Sequence, residues 1–118
     1  FYAIGEAYKH TKQFDNALTF YRKALEIELC CFSDEPEIVA LIYKSIAEIY
    51  EKMSNYQEAM SNIELAITIV RGRPDPNRLV LTECLFELAN LLCQQGDYEK
   101  AVEIYTESLC SKLEVTKD

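Results

Sequence analysis

The apolar positions of this chain recur at helical spacing, and the helical blocks themselves recur. Tyr43, Ile46, Ala47 and Tyr50 share one face of a helix at about 100° per residue. Met53-Ser54-Asn55 then interrupts the pattern with a short polar break. Beyond it, Tyr56, Ala59, Ile63, Ala66, Ile67 and Val70 form the apolar stripe of a second helix. Asn55 stands at the N-cap position, and Glu58 three residues on completes a capping-box variant. Further along, Gln95-Gly96-Asp97 makes the same break. Gly96 is suited to end one helix and Asp97 to cap the next. Lys12-Gln13 fills this role near the start with a weaker signal.

Aligning the chain with itself reveals the period. Phe14-Asp15-Asn16-Ala17-Leu18, Tyr56-Gln57-Glu58-Ala59-Met60 and Tyr98-Glu99-Lys100-Ala101-Val102 are in register, with Ala17, Ala59 and Ala101 spaced by 42 residues. Upstream, Tyr8, Tyr50 and Leu92 align, as do Gly5, Ala47 and Ala89, then Ile4, Ile46 and Leu88, then Phe1, Tyr43 and Leu85. Downstream, Tyr21, Ile63 and Tyr105 share a column, followed by Ala24, Ala66 and Ser108. Small residues recur in some columns and bulky ones in others, as helices in close contact require. Gly5, Ala47 and Ala89 are expected to face Ala17, Ala59 and Ala101.

The predicted fold is therefore all-α: a right-handed α-α superhelical solenoid of three antiparallel helix pairs, the first clipped at its start. It forms a single repeat domain over residues 1–118, with repeat one at 1–33, repeat two at 34–74 and repeat three at 75–118. Ser33-Asp34-Glu35-Pro36 and Gly72-Arg73-Pro74-Asp75-Pro76 are the turns between repeats. Asp34 and Asp75 are expected caps, each with proline in the first helical turn. Because the chain opens on Phe1 inside a helical pattern, it reads as a piece of a longer protein.

Composition narrows the chemistry. The 118 residues are 49% hydrophobic, enough for a packed core, and three Gly and three Pro leave little punctuation for a β fold. Twenty acidic residues against twelve basic give a formal charge of -8. That balance repels a phosphate backbone and disfavours a membrane surface, so neither nucleic acid nor membrane is the expected partner. A basic or basic–apolar peptide is. No run approaches the roughly 18 to 20 apolar residues of a membrane helix. The five cysteines, an odd number with no C-x-x-C pair, are expected to be small buried hydrophobes in a reducing cytoplasmic compartment. His10 is the one histidine and has no partners at zinc spacing, so no metal or cofactor is expected. Neither a Gly-rich phosphate loop nor a nucleophile elbow is present, and an enzyme is not expected.

Unit one reads Phe1, Ile4-Gly5, Tyr8, Ala17, Tyr21 and Ala24. This resembles the tetratricopeptide signature of an aromatic, Leu-Gly, Tyr, Ala and Phe, and the resemblance runs through essentially the whole chain. The 42-residue unit is longer than the usual period of about 34. It is similar to the repeats of kinesin light chain and nephrocystin-type proteins, a group that includes cargo adaptors and ciliary or cytoskeletal scaffolds. The resemblance implies a cytoplasmic protein–protein interaction scaffold or adaptor, associated with cytoskeleton or cilium.

It also implies a concave groove lined by the first helix of each unit. Tyr2, Glu6 and Lys9 would line it in unit one; Leu41, Lys44, Glu48 and Glu51 in unit two; Glu83, Phe86, Asn90 and Cys93 in unit three. Apolar anchors (Tyr2, Leu41, Phe86) among acidic groups fit a peptide with apolar and basic side chains. The group's paired asparagines are replaced by Lys44-Ser45 and Phe86-Glu87, and a carboxylate clamp is not matched, with Glu48 where an asparagine is wanted. The alternative function is a structural module that stacks on further repeats or on itself.

Overall fold

Each predicted break is a helix terminator followed at once by a new helix. The computed structural model describes residues 2–30, 36–72 and 77–116. These hold six helices: α1 (Tyr2–His10), α2 (Phe14–Cys30), α3 (Pro36–Lys52), α4 (Tyr56–Arg71), α5 (Arg78–Gln94) and α6 (Tyr98–Thr116). Lys12, Ser54 and Gly96 share one column, and all three have positive φ, at 64°, 63° and 86°. The amide of the next residue then reaches back across the turn. Gln13, Asn55 and Asp97 donate to the carbonyls of Tyr8, Tyr50 and Leu92 at 2.9, 2.8 and 3.0 Å, which is a Schellman closure. Asn55 and Asp97 cap the following helices through the amides of Glu58 and Lys100.

Only glycine takes this left-handed conformation without a steric penalty. Ser54→Gly is therefore expected to raise stability by about 1 kcal/mol, and Gly96→Ala to lower it by about as much. The two variants should move the urea midpoint in opposite directions. Midpoints that move together would contradict the shared backbone geometry.

One cap differs from expectation. Asn77, rather than Asp75, caps α5, accepting from the amides of Leu79 and Val80 at 3.1 and 3.3 Å. The expected caps Asp34 and Asp75 lie outside the described residues.

The helices pack as antiparallel pairs, α1 with α2, α3 with α4 and α5 with α6. Across the pairs, α3 touches both α1 and α5, whereas the backbones of α2, α4 and α6 stay apart among the described residues, with Arg71 of α4 reaching Glu107 of α6 through its side chain. The odd helices thus form the inside of a curved stack. One core fills the first junction with Leu18, Tyr21, Ile42, Ile46 and Ile49. A second fills the next with Ile63, Ile67, Val70, Leu81, Cys84 and Leu85. The small columns are sealed, with Ala17, Ala47, Ala59, Ala89 and Ala101 all buried. Gly5 serves a different neighbour than expected. A Cβ there would lie 2.9 Å from the ring of Tyr21, so Gly5 is small to admit that ring.

The cysteines also need correction. Cys84 is buried, and burial pushes its thiol up to about 12, so it acts as a small apolar residue. Cys30 and Cys110 are exposed, Cys93 is half-buried, and Cys31 lies outside the described residues. Position in the stack explains much of the remaining burial pattern. Ile46 is 3% exposed inside it, while its column mate Ile4 is 44% exposed on α1. Likewise Ile67 is 6% exposed, and Leu109 on α6 is 58% exposed.

Candidate functional site

The inner face carries two junctions of the same design and opposite electrostatics. At the first, between α1 and α3, donors surround an acid. Glu6 Oε1 accepts the Tyr21 hydroxyl at 2.5 Å and the Ser45 hydroxyl at 3.0 Å. Lys9 Nζ lies 3.4 Å from Glu6 and 3.5 Å from Glu48. Burial alone would push the Glu6 carboxyl up, but the Tyr21 hydroxyl, Lys9 and Ser45 outweigh it and hold it below its ordinary value. The Tyr21 phenol moves far upward, through burial first and then the neighbouring Glu6.

One repeat further on, between α3 and α5, each donor column has changed. Glu6 becomes Glu48, Tyr21 becomes Ile63, Ser45 becomes Glu87 and Lys9 becomes Glu51. An acid now faces a methyl group and two more acids. Glu48 Oε1 and Glu87 Oε1 are buried and receive no hydrogen bond, although Lys44 Nζ lies 3.1 Å from the former. Lys44 also reaches Glu83 at 3.6 Å. Its burial acts to lower the ammonium pKa, but Glu48 and Glu83 outweigh this and raise it. Glu87 is only 8% exposed. Burial, followed by the repulsion of Glu51, a hydrogen bond shared with Glu51 and the repulsion of Glu48, pushes its carboxyl up to about 8, against a smaller opposing pull from Lys44.

A cleft of about 700 Å³ opens onto this junction. Lys44 and Glu48 line it from α3, Thr82, Glu83, Phe86, Glu87 and Asn90 from α5, and Tyr105, Ser108 and Leu109 from α6. Phe86 and Tyr105 meet edge to face, with centroids 5.5 Å apart. The Tyr105 hydroxyl donates to Asn90, which repeats the Tyr21–Glu6 pairing in the third unit. Ser108 donates to the Thr82 carbonyl at 3.1 Å and fixes α6 against α5.

Of the residues expected on the groove, Lys44, Glu48, Glu83, Phe86 and Asn90 meet in this cleft. The others do not line it. Leu41, expected as an anchor, packs half-buried against the second core. Tyr2 packs on the first core and against the Tyr21 ring at 5.7 Å. Glu6 and Lys9 satisfy each other at the first junction, where Lys9 is buried. Glu51 accepts from Gln94 at 2.8 Å, and Cys93 Sγ lies 4.0 Å from the Tyr105 hydroxyl.

Glu87 and the α6 wall were not among the expected site residues. Glu87 sits in the column of Ala3 and Ser45, which does not read as groove-facing from periodicity. Its replacement of Ser45 across the repeat was the available signal. Tyr105, Ser108 and Leu109 belong to a second helix, a class assigned to the outer layer. Among the described residues, no group of three or more His, Cys, Asp or Glu side chains is arranged to hold a metal ion. No helix there is long and apolar enough to cross a membrane.

Comparison with known families matches residues 38–109 to the tetratricopeptide repeat, and residues 1–29 to the same repeat again. No curated protein matches the chain.

Proposed function

Because this chain belongs to the tetratricopeptide repeat family, we propose that it is a scaffold or adaptor whose concave face holds a peptide segment with apolar and basic side chains. Repeats of this family generally act as protein–protein interaction modules. The observation that supports the finer reading is the cleft between α3, α5 and α6. Phe86 is 53% exposed there, an aromatic anchor standing free on the rim. Around it Glu48 and Glu83 outnumber Lys44, so a cationic segment is attracted and an acidic one repelled. The 42-residue unit supports placing the chain with the cytoplasmic adaptors of the longer-repeat group.

A displayed library of random peptides, panned against the chain, tests this. Enriched sequences should pair an aromatic or aliphatic residue with lysine or arginine. Phe86→Ala combined with Glu83→Lys should weaken them at least about tenfold, the scale of a hot-spot loss. Enrichment of acidic peptides would overturn the proposal. So would binding that survives this double change but is lost on Leu65→Lys, at an exposed position of α4 in the outer layer.

A second reading rests on the two end helices. Tyr98, Val102 and Leu109 on α6 and Ile4 on α1 are exposed, and these columns are covered inside the stack. Such faces suit stacking on a further repeat or on another copy. Sedimentation over a range of concentrations separates the two readings, since a monomer throughout removes self-association.

A further inference from the structure

We propose that the α3–α5 junction is a subsite for the guanidinium group of an arginine on the bound peptide, received by the unpartnered Oε1 of Glu87 and by the neighbouring Glu48, which Lys44 already holds at 3.1 Å. The proposal rests on the groove reading above and deepens it.

The two junctions supply the comparison. At the first, Glu6 is buried against Tyr21, Ser45 and Lys9, so the protein provides its own donors. At the second, Ile63, Glu87 and Glu51 occupy those columns, the hydroxyl donors are gone, and Glu48 is left to Lys44 and Lys9. Glu87 Oε1 is buried without a hydrogen bond, a condition that costs stability unless a donor arrives, whereas Glu48 Oε1 has the Lys44 ammonium at 3.1 Å. The nearby cations are already engaged. Lys44 lies between Glu48 and Glu83, and Lys9 between Glu6 and Glu48. Both Glu87 and Glu48 line the cleft, with their Oε1 atoms buried.

A guanidinium fits this vacancy better than an ammonium. The two oxygens belong to carboxylates on different helices, and a planar fork with five N–H donors can serve both at once. It is also more weakly hydrated, which suits a site that is largely buried. Phe86 and Tyr105, on the same cleft, provide aromatic surface for the stem and the cationic plane.

Engagement is linked to a proton. The groups that face Glu87 are Lys44, Glu48 and Glu51 on α3, Glu83 on its own helix, and Tyr105 on α6. With the acids predominating, Glu87 holds its proton up to about pH 8 in the empty cleft. An arriving guanidinium brings its own charge, and the carboxyl proton leaves to solvent.

The test uses four capped octapeptides with Phe and Leu flanking one variable position: arginine, lysine, citrulline or glutamate. Arginine is expected to bind at least about tenfold more tightly than citrulline, its neutral isostere. Glu87→Gln should abolish that preference, and Glu48→Gln should reduce it. Arginine affinity should rise about tenfold between pH 7 and pH 9 on the wild-type chain and stay flat on Glu87→Gln. Equal affinity for arginine and citrulline, with binding still lost on Phe86→Ala, would remove the subsite and leave the groove. An arginine preference undiminished in Glu87→Gln would also remove it. Binding by none of the four would remove subsite and groove together.

Discussion

Replacing Tyr21 with alanine is expected to lower stability by about 3–5 kcal/mol, the range for deleting a fully buried aromatic ring. Tyr21 has no exposed surface and is the largest fully buried side chain among the described residues. Its ring fills the space left open by Gly5 and packs beside Tyr2. Its hydroxyl donates to Glu6 at 2.5 Å. Truncation thus opens a cavity and removes a donor from a partly buried carboxylate.

Tyr21→Phe separates the two effects. The ring stays and the hydroxyl goes, leaving a loss of about 1.5–3 kcal/mol for a hydrogen bond to a charged acceptor. Urea unfolding of both variants reads the difference. A Tyr21→Phe chain with the wild-type midpoint would show that Ser45 and Lys9 alone suffice for Glu6. Unit two already carries the apolar replacement as Ile63, and the acid above it, Glu48, has an oxygen without a hydrogen bond.

The second large effect is a dependence of stability on pH that Glu87→Gln should erase. The Glu87 carboxyl titrates at about 8 in the folded chain against an ordinary 4.5. Between these values the folded state holds a proton that the unfolded state has released. Stability from this group is therefore fully present below about pH 4.5 and declines as pH rises through about 8. Glutamine keeps the shape and cannot ionise. The variant should match the wild type at about pH 4.5 and exceed it at about pH 8.5 by on the order of 3–5 kcal/mol. Wild-type and variant stabilities that run parallel over that interval would refute the burial of an ionisable group at this junction. The same substitution should remove selectivity for arginine, so the stabilised chain is expected to be the poorer ligand-binding one.

Much of this site was legible once the repeat columns were aligned. Lys44, Glu48, Glu83, Phe86 and Asn90 were assigned to the inner face from helical spacing and the family resemblance, and they meet in one cleft. Leu41 lies outside this cleft because an apolar residue at the edge of a stripe can turn either way, and here it packs half-buried against the second core. Cys30 and Cys110 were expected inside, yet they lie on the exposed sides of α2 and α6.

The sequence by itself determined the helix pairs, their breaks and the column of left-handed residues. Helical periodicity and Schellman closure are settled by groups only three to five residues apart. The concave wall and the fate of each buried acid were decided by tertiary structure alone. Glu6 and Ser45, which meet at 3.0 Å, are 39 positions apart. Whether an acid is held, as Glu6 is, or left with an oxygen wanting a donor, as Glu87 is, depends on which side chain the next repeat brings against it. Local spacing carries no record of that neighbour, because burial and charge pairing act through space.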